Sequence, residues 1–145
     1  MIDNEKKVDY SAADELEVIR LDATNPDQAS KQAIWDKYTS VAFKQQDFIA
    51  STACFFNKAD RSQCRFFVNL WFESLEAISS KHYDYFKMYF LQMTPSWMGE
   101  EQDATRMKEL LAKYEQSPEK SYMCRCLKEE IYQTEHVMAM KKFYE

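Results

Sequence analysis

The sequence predicts an all-α protein, and three observations predict it. The 145 residues include one glycine and three prolines, too few for the many tight turns of an all-β fold. Hydrophobic residues make up 46% and aromatics 15%, enough to bury a core and too apolar for a disordered chain. Apolar residues recur at helical spacing, most clearly at Cys64, Phe67, Val68, Trp71, Leu75 and Ile78, which share one stripe of a helix. The length suits one domain or a piece of one. Residues 1–10 are charged and expected to fray; residues 11–145 form a single helical domain.

Each element has its own signals. Ser11, with Asp14 three residues on, is an N-cap, so a first helix runs from Ala12 to about Leu21. Its apolar set is Leu16, Ile19 and Val18, and the β-branched Val18-Ile19 pair makes a strand over residues 17–21 the competing assignment. Thr24-Asn25-Pro26-Asp27 is a break. The next helix turns Ala29, Ala33, Ile34 and Tyr38 inward, with Trp35 alongside. A third runs from about Val41 to Phe56, with Phe43, Phe48, Ile49, Thr52 and Phe56 toward the core. Residues 57–60 form a loop whose Asp60 caps the longest clear helix, from Arg61 to about Ser80. An aromatic helix from about His82 to Met93 stops before Pro95, and residues 95–99 turn. Asp103 begins a helix with Met107, Leu110, Leu111 and Tyr114 inward. Ser117-Pro118-Glu119 restarts the last helix, which carries Tyr122, Met123, Cys126, Leu127, Ile131, Val137 and Met138 nearly to the end. Six or seven helices on short connections, paired antiparallel, suit a small bundle or a HEAT-like stack.

The chemistry that the sequence excludes is wide. A net charge of −5, with no basic run longer than Lys6-Lys7 or Lys141-Lys142, argues against a nucleic-acid surface. No apolar run approaches the roughly 20 residues of a membrane span. The polar, acidic N-terminus lacks the apolar stretch of a secretory leader. In that setting Cys54, Cys64, Cys124 and Cys126 read as reduced thiols of a cytoplasmic protein. His82 and His136 do not belong to H-E-x-x-H, because Glu135-His136 lacks a second histidine. One intervening residue sets Cys124 and Cys126 about 200° apart around a helix, so they do not make a zinc knuckle with Cys54 and Cys64, and Cys126 reads as a small core residue. Glu100-Glu101 and Glu129-Glu130 read as solvated or capping charges. One glycine cannot make a phosphate-binding loop. No catalytic, cofactor-binding or metal-ligating residue is expected in this chain.

A second reading rests on the order of several short motifs. Lys31 and Trp35 form K-x-x-x-W, and Phe55-Phe56 precede a polar break at Asn57. Gln63 opens a helix that carries Trp71-Phe72, and Phe90 precedes Pro95. Leu111-Ala112 and the stretch from Arg125 to Glu129 close the series. This order resembles the extreme C-terminal part of the helical domain of zinc aminopeptidases of the aminopeptidase N and puromycin-sensitive type. It extends from Asp22 to near Met138. Cys124 stands where such enzymes usually have the first of two arginines, and Asn57-Lys58-Ala59-Asp60 replaces the Pro-Gly/Gln turn of bacterial relatives.

The resemblance implies a role without catalysis. In such enzymes zinc sits on an H-E-x-x-H helix, and a G-x-M-E-N strand grips the substrate amine, both in a separate catalytic domain; neither motif is in this sequence. Their helical domain is a curved stack that closes a chamber over the active site. By resemblance the chain is a wall or lid of a peptide chamber. It packs on the rest of an aminopeptidase-like protein and presents apolar surface where earlier helices stack. Zinc is expected only in that other domain. The alternative is a stand-alone scaffold or interaction subunit of a larger assembly, derived from such a domain, for which abundant Trp, Tyr and Met suit an interface.

Overall fold

A computed structural model of the chain describes residues 11–40, 43–56, 61–81, 84–93 and 96–144, the side chains of 79, 81, 84 and 85 excepted. The all-α expectation holds: seven α-helices account for most of the described residues, and no strand is found among them. They are α1 (Ala12–Thr24), α2 (Gln28–Ser40), α3 (Gln45–Thr52), α4 (Arg61–Lys81), α5 (Asp84–Gln92), α6 (Glu101–Tyr114) and α7 (Ser121–Tyr144). Short 3-10 turns at Ser96–Met98 and Pro118–Lys120 lead into α6 and α7.

Local chemistry sets the helix starts. The Asp14 N–H donates to Ser11 Oγ at 3.3 Å while the Ser11 N–H donates back to Asp14 Oδ2 at 2.9 Å, a reciprocal capping box. That cap starts a helix through Val18-Ile19 and removes the strand alternative. At α2, Asp27 accepts from both the N–H and the hydroxyl of Ser30, each at 2.8 Å, and both bonds hold its carboxyl below the usual range.

Helix order in space alternates. The odd-numbered helices form one row, α1 on α3, α3 on α5 and α5 on α7. In the even-numbered row α2 meets α4, and side chains join α4 to α6. Lys113 bridges to Glu76 at 3.0 Å, Arg106 donates to Asn69 at 2.8 Å, and Arg65 holds Asp103. Between the rows lies an aromatic core. Trp35 packs on Phe55, Phe67 and Phe90 with ring centroids 5.6–5.8 Å apart, and Trp71 stacks on Phe90. The stripe expected on α4 is buried in full, Cys64, Phe67, Val68, Trp71, Leu75 and Ile78 all facing inward.

Several boundaries and faces differ from the sequence reading. On α2 the buried set is Lys31, Ile34, Trp35 and Tyr38, while Ala29 and Ala33 are exposed; the helix is rotated to bury the long side chains, whose area outweighs that of two alanines. The third helix is only Gln45–Thr52, and Phe43 lies before it, half-buried. Val41, the loop at 57–60 with Asp60, His82, Pro95 and residues 1–10 fall outside the described residues. Helix α6 begins at Glu101 rather than Asp103.

Helix C-termini leave carbonyls without intrahelical partners, and glycine is the usual means of turning the chain there. This chain uses side chains from other elements. Lys31 Nζ donates to the Ala23 carbonyl in the last turn of α1, at 2.9 Å, and to the Phe55 carbonyl beyond α3. Its ammonium also sits 4.4 Å from the centre of the Phe55 ring, and the residue is 2% exposed. Trp71 Nε1 donates to the Phe90 carbonyl near the end of α5 at 2.8 Å. Gln63 donates to the Pro26 carbonyl. Arg61, at 3.0 Å, and Lys141 both donate to the Met98 carbonyl. The single glycine follows: Gly99 has φ +55°, and a Cβ there would lie 2.6 Å from Val137 Cγ1 of α7. Both the left-handed backbone and the close approach require glycine.

Two outcomes test this packing. Trp71→Ala removes a fully buried indole and the donor to Phe90, and should lower the unfolding free energy by about 3–5 kcal/mol in denaturant titration; near-native stability would mean that the stripe is misplaced. Tyr38 shares a 2.5 Å hydrogen bond with Ser51, and burial pushes its phenol well above the ordinary value. The folded state therefore keeps that proton longer than the unfolded chain. Its contribution is present below pH ~10 and is lost as pH rises through the folded value. The alkaline limb of a stability profile should be shallower in Tyr38→Phe than in the parent chain; identical slopes would exclude Tyr38 as a source.

Candidate functional site

A cleft of about 690 Å³ is lined by α4, α5, the turn at Pro118–Lys120 and the start of α7. Helix α4 contributes Glu73, Glu76, Ala77 and Ser80 one turn apart or closer, α5 contributes Lys87, and Glu119 and Lys120 face them above Tyr122 and Met123. Two of the charged groups meet partners outside the cleft. Glu76 is drawn to Lys113, whose hydrogen bond and charge hold the carboxyl low and the ammonium high. Ser80 Oγ donates to the Ala77 carbonyl of its own helix at 2.9 Å. Lys120 Nζ lies 4.2 Å from the centre of the Tyr114 ring, and burial raises that phenol. Among the described residues the lining is carboxylate, ammonium, hydroxyl and apolar side chains. It is a mixed-charge groove open to water.

The best-built polar cluster lies elsewhere, between α4 and α6. Arg65 makes two parallel bonds to Asp103, 2.7 Å to Oδ1 and 2.5 Å to Oδ2, the fork geometry that guanidinium favours. Asp103 is buried, and its bond raises the Arg65 guanidinium further above an already basic value. Arg61 adds a 2.8 Å bond to Glu100. This cluster clamps the turn at Ser96–Met98 and the first turn of α6 onto α4; both Arg65 and Asp103 are satisfied by each other, which is the arrangement of a structural pair.

The titratable and thiol candidates of the sequence are dispersed. His136 is exposed on α7 and stacks on Tyr132; Glu135 bridges instead to Lys108 on α6. All four cysteines are free. Cys124, not Cys126, is the buried member of the C-x-C pair, because α7 turns the 123, 124, 127 and 131 positions inward. Cys126 is half-buried, and burial pushes its thiol up, away from the thiolate that reacts or binds metal. Among the described residues no group of three or more His, Cys, Asp or Glu side chains is placed to hold a metal ion, and no helix is long and apolar enough to cross a membrane. Glu129 bonds to Gln133 at the surface, but Glu130 is buried rather than solvated, since it falls on the inward side of α7.

Of the motif residues, Lys31, Phe55, Gln63 and Phe90 lie near helix ends, and Trp35 and Trp71 lie in the middle of α2 and α4. They form one connected set of ring contacts and side-chain-to-carbonyl bonds, apart from Gln63, which ties the α1–α2 loop to α4. The spacing K-x-x-x-W puts Lys31 and Trp35 on one face, the cation toward two carbonyls and the indole into the core.

Arg65→Met should leave the Asp103 carboxylate buried without its partner and lower stability by about 3–5 kcal/mol, read by thermal and denaturant unfolding; a loss below about 1 kcal/mol would mean that the pair is a surface bridge. No family model matches the chain, and no curated protein or solved structure is significantly similar to it.

Proposed function

We propose that the chain is a non-catalytic helical module that packs end-on against further helices, as the terminal part of the helical domain of an aminopeptidase-like protein. The observation that carries this reading is the open end of the row at α1. Of the thirteen residues of that helix only Ala23 is buried. Leu16 and Ile19 are half-covered by the neighbouring helices, while Val18 is about half exposed and Leu21 is 61% exposed. Stacked helical arrays need a polar face on their terminal helices to stay soluble; α1 instead carries apolar side chains outward, as an inner helix of a longer HEAT-like stack would. The two-row alternation fits such a stack, and the motif residues that carry the aminopeptidase resemblance join one helix to another through ring contacts and bonds to carbonyls. In that setting the chain would exclude water and restrict access to a chamber whose zinc chemistry belongs to another domain.

The second reading, a stand-alone interaction subunit, is favoured by a separate exposed stripe on α7. Two measurements test the first. The purified chain should neither hydrolyse a fluorogenic amino-acid amide nor contain zinc; turnover with stoichiometric zinc would overturn a non-catalytic role. Val18→Glu with Leu21→Glu should change the unfolding free energy by no more than about 0.5 kcal/mol, because a docking face is solvent-exposed in the isolated chain; a loss of several kcal/mol would make it a core face.

A further inference from the structure

Helix α7 has two apolar faces. The inner one carries Met123, Leu127, Ile131 and Thr134, all buried, and ends at Lys141, which reaches the Met98 and Gly99 carbonyls. The outer one carries Tyr132, His136, Ala139 and Phe143. These four follow the four-three-four spacing of a coiled-coil seam, and at 3.6 residues per turn they lie roughly opposite the inner face. All four are exposed; Tyr132 is 63% and Phe143 81% exposed. Met140 and Tyr144 widen the stripe on one side. Tyr132 and His136 are already stacked, with ring centroids 6.3 Å apart and planes 18° from parallel. An exposed apolar seam is a common mark of an association surface.

The charges beside the seam select the partner. Glu135 and Lys142 are seven residues apart, so they lie on the same edge of the helix. When two helices pair antiparallel, like edges meet. A second copy of α7 laid antiparallel therefore sets Glu135 against the partner's Lys142, and Lys142 against the partner's Glu135. The same register sets Tyr132 against the partner's Phe143 and His136 against the partner's Ala139. The two-fold axis falls between His136 and Ala139, where the small alanine lets the helix axes approach. Lys108 of α6 holds Glu135 at 2.5 Å and so fixes the carboxylate at that edge. A parallel pair brings opposite edges together and leaves Lys142 without a carboxylate. The pattern is self-complementary in the sense that an isologous interface requires.

We propose that the outer stripe of α7 is a self-association surface on which a second copy of this chain docks as an antiparallel, two-fold helix pair. The proposal is independent of the aminopeptidase-like reading, because α1 and not α7 carries that one. Sedimentation equilibrium of the full chain from low-micromolar to near-millimolar concentration tests it, with circular dichroism confirming that each variant is folded. The parent chain should move from one to two chain masses. Phe143→Glu should weaken the dimer about tenfold or more, since it places a carboxylate in the seam. Lys142→Glu should weaken it roughly threefold, through two reciprocal pairs. Adding Glu135→Lys to Lys142→Glu, with Lys108→Glu to keep the intrachain bridge, should restore it. A single chain mass throughout, a dimer indifferent to Phe143→Glu, or a charge reversal that does not restore association would each overturn the proposal.

Discussion

The bond from Lys31 to the ends of two other helices is the constraint on which the arrangement depends. Removing an ammonium from water is costly unless its donors are met, and here carbonyls that no longer have helical partners accept them. Two liabilities, orphan carbonyls and a buried cation, cancel at one place. The geometry that cancels them is narrow, because Ala23 and Phe55 must both lie within reach of one side chain. The relative position of α1, α2 and the chain after α3 is fixed accordingly. The Phe55 ring beneath the ammonium adds attraction of a cation to an aromatic face.

The same solution recurs through the molecule. Trp71 meets the end of α5, Arg61 and Lys141 meet the Met98 carbonyl, and Gln63 meets the chain between α1 and α2. A chain with one glycine has little access to left-handed helix caps. Its only such residue, Gly99, is placed where a turn must pass against α7 without a side chain. Elsewhere long donors from adjoining helices close the ends. Aromatic residues serve both purposes in this scheme, filling the space between rows and, in Trp71, supplying an N–H.

Legibility in the sequence followed the strength of the local signal. The α4 stripe was readable because six apolar side chains keep helical phase over fifteen positions, from Cys64 to Ile78, and all six are buried. The Ser11 cap was readable because the box lies within four residues. On α2 Ile34, Trp35 and Tyr38 are buried as expected, but Lys31 was not readable: a lysine counts as polar in any periodicity, and nothing local states that it will find two carbonyls from distant segments. Asp103 looked like a helix start for its position, whereas Arg65, 38 positions earlier, decides its place. Glu130 was read as solvated and is buried, because α7 meets α5, α6 and two 3-10 turns and its inward arc is wider than one stripe. The row order of the helices, which rests on contacts between distant segments, has no signature at short range.

Capping from neighbouring helices has a consequence for how the molecule comes apart. In arrays whose units carry their own caps, one unit can melt while the next persists, and stability is close to a sum along the row. Here the α1 end loses a hydrogen bond as soon as α2 leaves, and the α5 end loses one when α4 leaves. Helices α2 and α4 therefore hold part of their neighbours' boundaries. Opening at one point exposes carbonyls at another, which raises the cost of partially unfolded forms relative to the fully unfolded chain. Helix α4, which donates to the Pro26 carbonyl on one side and the Phe90 carbonyl on the other, ties two such boundaries together.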